Sequence, residues 1–535
     1  MARTKAPSAG LMINRRTLLA GAGAALASPA ISQSADNRVL RFIPQANLTL
    51  LDPIFTTAGI TTEHAYYVFD TLYGVDGDLK AQPQMAEGHT VSEDGRTWLI
   101  RLRPGLKFHN NEPVRAQDCV ASLARWSKRD TFGQMLADAT ESMDAADDRT
   151  IRIRLKRPFP PLIDALAKPM TSAAFIMPES LARTDANTQV TEMVGSGPYR
   201  FLKDEFVSGS RVAYARFDAY QPRSEAPVGT SGGKRAFFER VEWHIITDAG
   251  TAAAALRNNE VDWWEYVLPD LVPVMKRASG VTVSTGDPLG SVAVLRFNNL
   301  LPPFDNKALR QAVLSAVDQR DYMRAINGDN VEWRTCAAMF PCSAPHVTEA
   351  SSGPLKDPPN LERARAAVKA AGYKGERVVI VNPGDFPSIG PLGEVTADLL
   401  KRLGMNVDLQ TMDWGTVVQR RASKKALEEG GWNIFHTTSP SVSVVNPATN
   451  FFIRGQGQGG WFGWYEDPSM EQLTSKWLQT PIAEHDQIFA AIQRQAFDGV
   501  PIIPLGQFKP PTAYRSNITG HVRGVYSFPW NVRRV

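Results

Sequence analysis

Cysteine is nearly absent from this chain, with three in 535 residues. A disulfide framework is therefore excluded as the source of the fold. Cys336 and Cys342 lie close together in a Pro-containing loop. They either pair in an oxidising compartment or remain two buried thiols, and Cys119, in a helix-patterned stretch, reads as a buried thiol. Histidine is also scarce, with eight copies, none at H-x-x-x-H or C-x-x-C-like spacing. No metal ligand set is visible, and no cofactor is expected. An excess of one charge is missing as well. Residues 1–35 hold Arg3, Lys5, Arg15 and Arg16 and no acid, and the remainder carries 55 basic against 55 acidic residues. A neutral body without a basic stripe argues against a nucleic-acid partner. No apolar run approaches the ~20 residues that span a bilayer.

The first 34 residues read as an address. Asn14-Arg15-Arg16-Thr17-Leu18-Leu19 precedes the weakly apolar run Ala20–Ala27, and small residues follow. This is the basic, apolar, small-residue order of a secretory signal, and the paired arginines resemble a twin-arginine signal. Cleavage after Ala30 or Ser34 would leave a mature periplasmic protein, and no nearby cysteine offers a lipid anchor.

The length implies two or three domains. Strand signals fall at Val39–Ile43, Thr97–Leu102, Ile151–Leu155 and Val241–Ile246, and helical spacing at Glu63–Tyr73 and Ala116–Lys128. Tyr214–Arg240, rich in Pro, Gly, Ser and Lys, reads as an exposed excursion. Ala308 through Val317 recur at three- and four-residue spacing in one amphipathic helix ending near Asn327-Gly328. Asn360 is placed to cap a helix that Gly372 stops. Val378–Val381, a helix through Glu394–Leu403 and Val407–Leu409 make a β-α-β unit. The fold class is α/β with an α+β insertion.

Two short motifs invite an enzymatic reading and lack its context. Gly229-Thr230-Ser231-Gly232-Gly233 fits G-x-S-x-G, but no strand precedes it to hold Ser231 on a strained turn. Gly455 to Gly460 fits G-x-G-x-x-G, but Trp461-Phe462-Gly463-Trp464 follows instead of a helix. No catalytic residue is assigned. An exported hydrolase using Ser231 is one alternative, and a solute sensor or chaperone-like binder is another. Aromatic density is the positive signal: Trp263-Trp264-Glu265-Tyr266 and Trp461-Phe462 with Trp464 and Tyr465. Such rings suit either a ligand cleft or a domain core.

Taken in order, the motifs resemble the bacterial extracellular solute-binding proteins of family 5. Leu51-Asp52-Pro53, Tyr67-Val68-Phe69-Asp70-Thr71-Leu72, Pro83–Glu87, Leu102-Arg103-Pro104-Gly105-Leu106-Lys107-Phe108-His109, Val194-Gly195-Ser196-Gly197-Pro198-Tyr199, Phe297-Asn298 and Pro303-Phe304-Asp305-Asn306 carry the resemblance. It implies a periplasmic binding-protein fold of two α/β lobes with a hinge and an extra smaller lobe. Lobe I would hold 36–72, 190–288 and 501–535, lobe II 73–189, and lobe III 289–500. It also implies a monomer that encloses a small solute between lobes I and III and delivers it to inner-membrane ABC permease subunits. Peptide carriers of the family hold the peptide ammonium with an aspartate in lobe III. The matching stretch here, Trp432 to Phe452, contains no Asp or Glu, which leaves peptide specificity open.

The candidate ligand residues are Asn47, Trp264, Glu265, Tyr266, Phe297, Thr438, Ser439, Asn446 and Trp461. Trp264, Tyr266 and Trp461 are expected to line the cleft, with Thr438, Ser439 and Asn446 as polar contacts. Glu265 is the nearest partner for a cationic solute, unless it faces solvent and the solute is neutral.

Overall fold

The computed structural model describes residues 38–170, 172–344, 347, 355, 358–480 and 484–535. The expected signal segment lies outside the described residues.

Three sheets organise the chain. The first has seven strands in the spatial order Tyr199–Phe201, Arg211–Arg216, Arg240–His244, Val39–Ile43, Trp263–Trp264, Pro511–Arg515 and Val281–Thr285. Val39–Ile43 lies at its centre, parallel to both neighbours. Leu40 and Phe42 are two apart and so share a face; Phe42 packs edge-on to Trp263 at 5.4 Å. The helix Gly59–Val68 packs into the same core. It is buried from Ile60 to Val68 without a polar face, the pattern of an enclosed helix. It ends at Val68, earlier than the spacing predicts; Phe69 is extended and Leu72 lies at a bend between two short strands.

The second sheet has six strands: Trp333–Arg334, Ile502–Phe508, Ser291–Phe297, Ile434–Pro440, Arg377–Pro383 and Asn406–Met412. Its last three strands are parallel, with the helix Gly390–Arg402 as crossover. A smaller antiparallel sheet of Ala86–Val91, Thr97–Leu102, Thr150–Leu155 and Thr140–Asp147 carries the helices Ala116–Trp126 and Thr131–Ala139. There Trp98, Ile100 and Leu102 face inward while Leu99 is exposed.

Three expectations are corrected. The amphipathic stretch is two helices, Lys307–Leu314 and Gln319–Asn327, because Asp318 caps a new start by accepting the Arg320 N–H. The chain at 214–240 is an exposed excursion only in its middle, 221–228: Tyr214 belongs to a strand, and Thr230, Ser231 and Lys234 are buried. Ile502–Phe508, expected with the first sheet, pairs with Ser291–Phe297 in the second. All seven of its residues are buried, as a central strand requires.

The second sheet is thus a continuous stretch of chain entered and left through two short crossings, 286–290 and 509–510. They touch. Gly290 has φ +67, and a Cβ there would lie 2.3 Å from the Phe508 carbonyl oxygen.

Several motif residues have structural work. Asp52 forms a buried bidentate pair with Arg125 at 3.1 and 2.6 Å and accepts the Val190 N–H at 2.8 Å. Gly195 and Gly197 run against the end of the helix Gly59–Val68, where added Cβ atoms would meet the Val68 and Tyr67 carbonyls at 2.0 and 2.7 Å. Cys336 and Cys342 form a disulfide, and Cys119 is a free, buried thiol.

Candidate functional site

Where the chain crosses between the first and second sheets, a cavity of about 320 Å³ opens. The first sheet contributes Trp263, Ser284, Thr285, Thr512 and Tyr514; Ser291 and Pro440 stand at the near edge of the second sheet. The chain from Thr519 to Ser527 closes a third side.

The wall is aromatic and fixed. The Trp263 indole donates to Thr512 Oγ1 at 2.7 Å, and Thr512 donates to the Trp264 carbonyl at 3.0 Å. The His521 ring stacks on Tyr514 at 3.8 Å and stands edge-on to Trp263 at 4.6 Å. Burial lowers His521 to about 4, so this ring is neutral near pH 7. The acids are Glu265 and Asp287. Glu265 Oε2 accepts the Gln45 backbone N–H at 2.6 Å, yet burial lifts its carboxyl to about 8. Asp287, in the first crossing, is lifted by burial to about 6, against the opposing pull of the Leu289 and Gly290 N–H groups. Arg523 is the cationic side chain on the lining and is exposed.

Of the nine expected residues, the cavity brings together Glu265 and Tyr266. Trp264 faces the other way, because neighbouring residues of a strand point to opposite faces. It is buried with Ile43, Leu256 and Met275, and Trp263 takes the cavity side. Phe297 is in the core of the second sheet, 4.7 Å from Phe304. Trp461 packs among Phe435, Phe451 and Phe452, with the Arg296 guanidinium 5.2 Å from its ring centre. Asn47 binds the turn at Ser208 and Gly209. Asn446 accepts the Thr449 N–H. Thr438 and Ser439 pair with Ala293 and Val292 along the strand, beyond the Ser291–Pro440 pair at the cavity edge. The contributions of Tyr514, His521 and Asp287 escaped the sequence reading. They come from segments distant in sequence, and no local pattern marks them.

The rival motifs are structural. The Ser231 hydroxyl donates to the Val228 carbonyl at 3.0 Å inside a tight turn. Gly457–Gly459 is a single 3₁₀ turn, not the start of an α-helix. Among the described residues no cluster of metal-ligating side chains occurs and no helix is long and apolar enough to cross a membrane.

Two open sheets joined by paired crossings, with a third sheet inserted in the first, make the fold of a periplasmic binding protein. Solved relatives share it. A periplasmic binding protein, AgaA, from A. tumefaciens R10 in complex with agropinic acid superposes with a TM-score of 0.78, at 20% identity over 93% of this chain and 99% of that one. DppA of Helicobacter pylori in complex with the peptide STSA also gives 0.78, at 19% identity over 94% and 99%. The model of the bacterial extracellular solute-binding proteins, family 5 (middle region) matches residues 80–451. A probable peptide ABC transporter periplasmic-binding protein of Sinorhizobium fredii, y4tO, is 34% identical over 98% of this chain and 100% of its own length. The chain belongs to the bacterial extracellular solute-binding proteins of family 5. It is a solute-binding component of an ABC importer, not an enzyme, and the serine-hydrolase alternative is not favoured.

Proposed function

We propose that the cavity at the crossings is the solute site and that ligand closes it by hinge motion. The observation that carries this reading is the convergence of both sheets on one cavity at the two crossings between them. Bending at 286–290 and 509–510 moves Ser291 and Pro440 relative to Trp263 and Tyr514 without disturbing either sheet, which is the mechanical requirement for closure. Ligand then shifts an open–closed equilibrium by binding the closed form better. On this reading lobe I comprises 36–72, 190–288 and the chain from 511. Lobe II is 73–189, and lobe III is 289–508.

The solute is a small organic molecule, peptide-like in the broad sense that y4tO is named for peptides. The protein acts in the periplasm as a monomer after losing residues 1–34, and it delivers its solute to inner-membrane permease subunits. The test is native mass spectrometry of protein taken from its own periplasm, joined to small-angle scattering. A bound small molecule and a radius that grows when it is stripped are expected. A confirmed solute whose removal leaves the radius unchanged excludes hinge closure.

A further inference from the structure

The acid at the inner wall of the cavity is backed by a second one. Glu265 directly follows the strand Trp263–Trp264, and Glu63 lies mid-helix in Gly59–Val68. Both are buried, and their carboxyls lie against each other between these elements. Glu265 receives the Gln45 N–H at 2.6 Å and the Gln45 amide at 3.4 Å. Neither Glu63 oxygen completes a hydrogen bond to a fixed donor. The backbone of Ser527 lies near enough to favour its charge, but burial and the Glu265 carboxyl outweigh that and hold Glu63 well above the carboxylate range.

Among the described residues the surroundings supply no countercharge. Tyr67 and Tyr214 face the pair from the helix and the sheet, and Tyr266 and Tyr526 from the cavity side. All four phenols are pushed up by burial and by these acids or neighbouring phenols. His64, bonded to the Tyr214 hydroxyl at 2.9 Å, is lowered by burial to about 3 and is neutral. Asp287 adds further negative potential at Tyr266. His521 is neutral, and Arg523 lies exposed on the lining. The buried cation Lys234 is already held by Asp70 at 2.7 Å. Two buried carboxyls without a cation cannot both ionise, so they retain a proton between them. An unpaired buried charge is costly, and a cation entering the cavity removes that cost.

We propose that Glu265, backed by Glu63, is a cation subsite that takes a protonated amine of the solute, and that the proton held by the pair leaves to solvent as the amine docks. The amine arrives as an ammonium, one carboxyl becomes a carboxylate, one proton is released, and no covalent bond changes. This rests on the cavity being the solute site. It places ammonium recognition on the first sheet, whereas the second-sheet stretch Trp432 to Phe452 has no acid to offer.

Infrared difference spectra on the whole protein test the pair without any ligand. At pH 7 a protonated-carboxyl stretch is expected in the wild type and its loss in the double variant Glu63→Gln/Glu265→Gln, because burial keeps either acid protonated when it is left alone; a wild type without that band overturns the proposal. Binding is read by thermal shift with di- and tripeptides free of Lys and Arg, and with the same peptides N-acetylated. Free-amine peptides should stabilise the wild type and lose at least tenfold in affinity with Glu265→Gln. That variant should melt like the wild type at pH 5, where Glu265 is protonated. Titration calorimetry in phosphate and in Tris should show up to one proton released. Equal binding of acetylated peptides overturns the amine subsite. If no peptide binds, the solute set free by denaturing the native protein decides. A basic amine in it upholds the subsite, and its absence overturns the subsite while solute binding stands. No solute at all overturns both readings.

Discussion

Trp263 and Trp264 are neighbours of identical chemistry with different surroundings. Trp263 lines the cavity, and Trp264 fills the core beneath the helix Ala249–Arg257. Trp264→Ala should therefore cost about 3–5 kcal/mol in urea unfolding, as for other buried large-to-small changes; a loss below about 1 kcal/mol would contradict its place in the core. Glu265 makes stability depend on pH. Its carboxyl titrates near 8 when folded against 4.5 in the ordinary range, so the folded state holds the proton more tightly. The contribution is complete below about pH 4.5 and is lost as pH rises through 8. The melting temperature of ligand-free protein should fall from pH 5 to pH 8.5, and Glu265→Gln should flatten that slope. A wild-type profile that stays level over this range would contradict the raised carboxyl. Lys234 and Asp70 form a pair that exposes almost nothing to solvent, with Tyr220 also donating to Asp70 at 2.9 Å. Lys234→Met leaves Asp70 buried without its cation and should destabilise by about 3–5 kcal/mol, again read by urea unfolding.

At the scale of elements, sequence pattern succeeds where one face alone is buried. Thr97–Leu102 and Thr150–Leu155 alternate cleanly because their sheet is covered on one side, and their bounds are close to those the pattern predicts. The pattern fails where burial is complete. Gly59–Val68 has no polar face to mark its end, and its true stop is set by Gly195 and Gly197 packing against its last turn. The helix predicted to end near Asn327 is divided by a single cap, Asp318, which periodicity does not register. Spacing alone leaves the disulfide open, and the folded loop decides it by bringing the two Cα atoms to 5.8 Å. Its ring is short, so replacing both cysteines by serine should cost about 2 kcal/mol on the loop-entropy argument. Denaturant titration of the double variant with and without reductant checks this: the wild type should lose stability on reduction and the variant should not respond.

At the scale of the whole molecule, closure and stability are linked. A solute at a hundredfold excess over its dissociation constant should add about 2.7 kcal/mol to unfolding. The scattering radius should fall at the same concentrations. Stabilisation without contraction would indicate a rigid pocket and would relocate the hinge function away from 286–290 and 509–510.

The sequence by itself determined the class. Its ordered motifs, neutral body, few cysteines and alternating and helical periods depend on local backbone geometry and on burial of one face, which leave marks at short range. Asp52 and the glycines at 195 and 197 are motif positions because each makes a contact that other side chains would break or block. The site was decided by tertiary structure. Which of two adjacent tryptophans lines the cavity depends on which face of a seven-stranded sheet looks across the crossing. Which acid lacks a countercharge depends on a helix some two hundred residues away in the chain. Ser231 and Trp461, prominent in the sequence, serve a turn and a core. Position relative to the cavity is a property of the assembled sheets, and no window of sequence contains it.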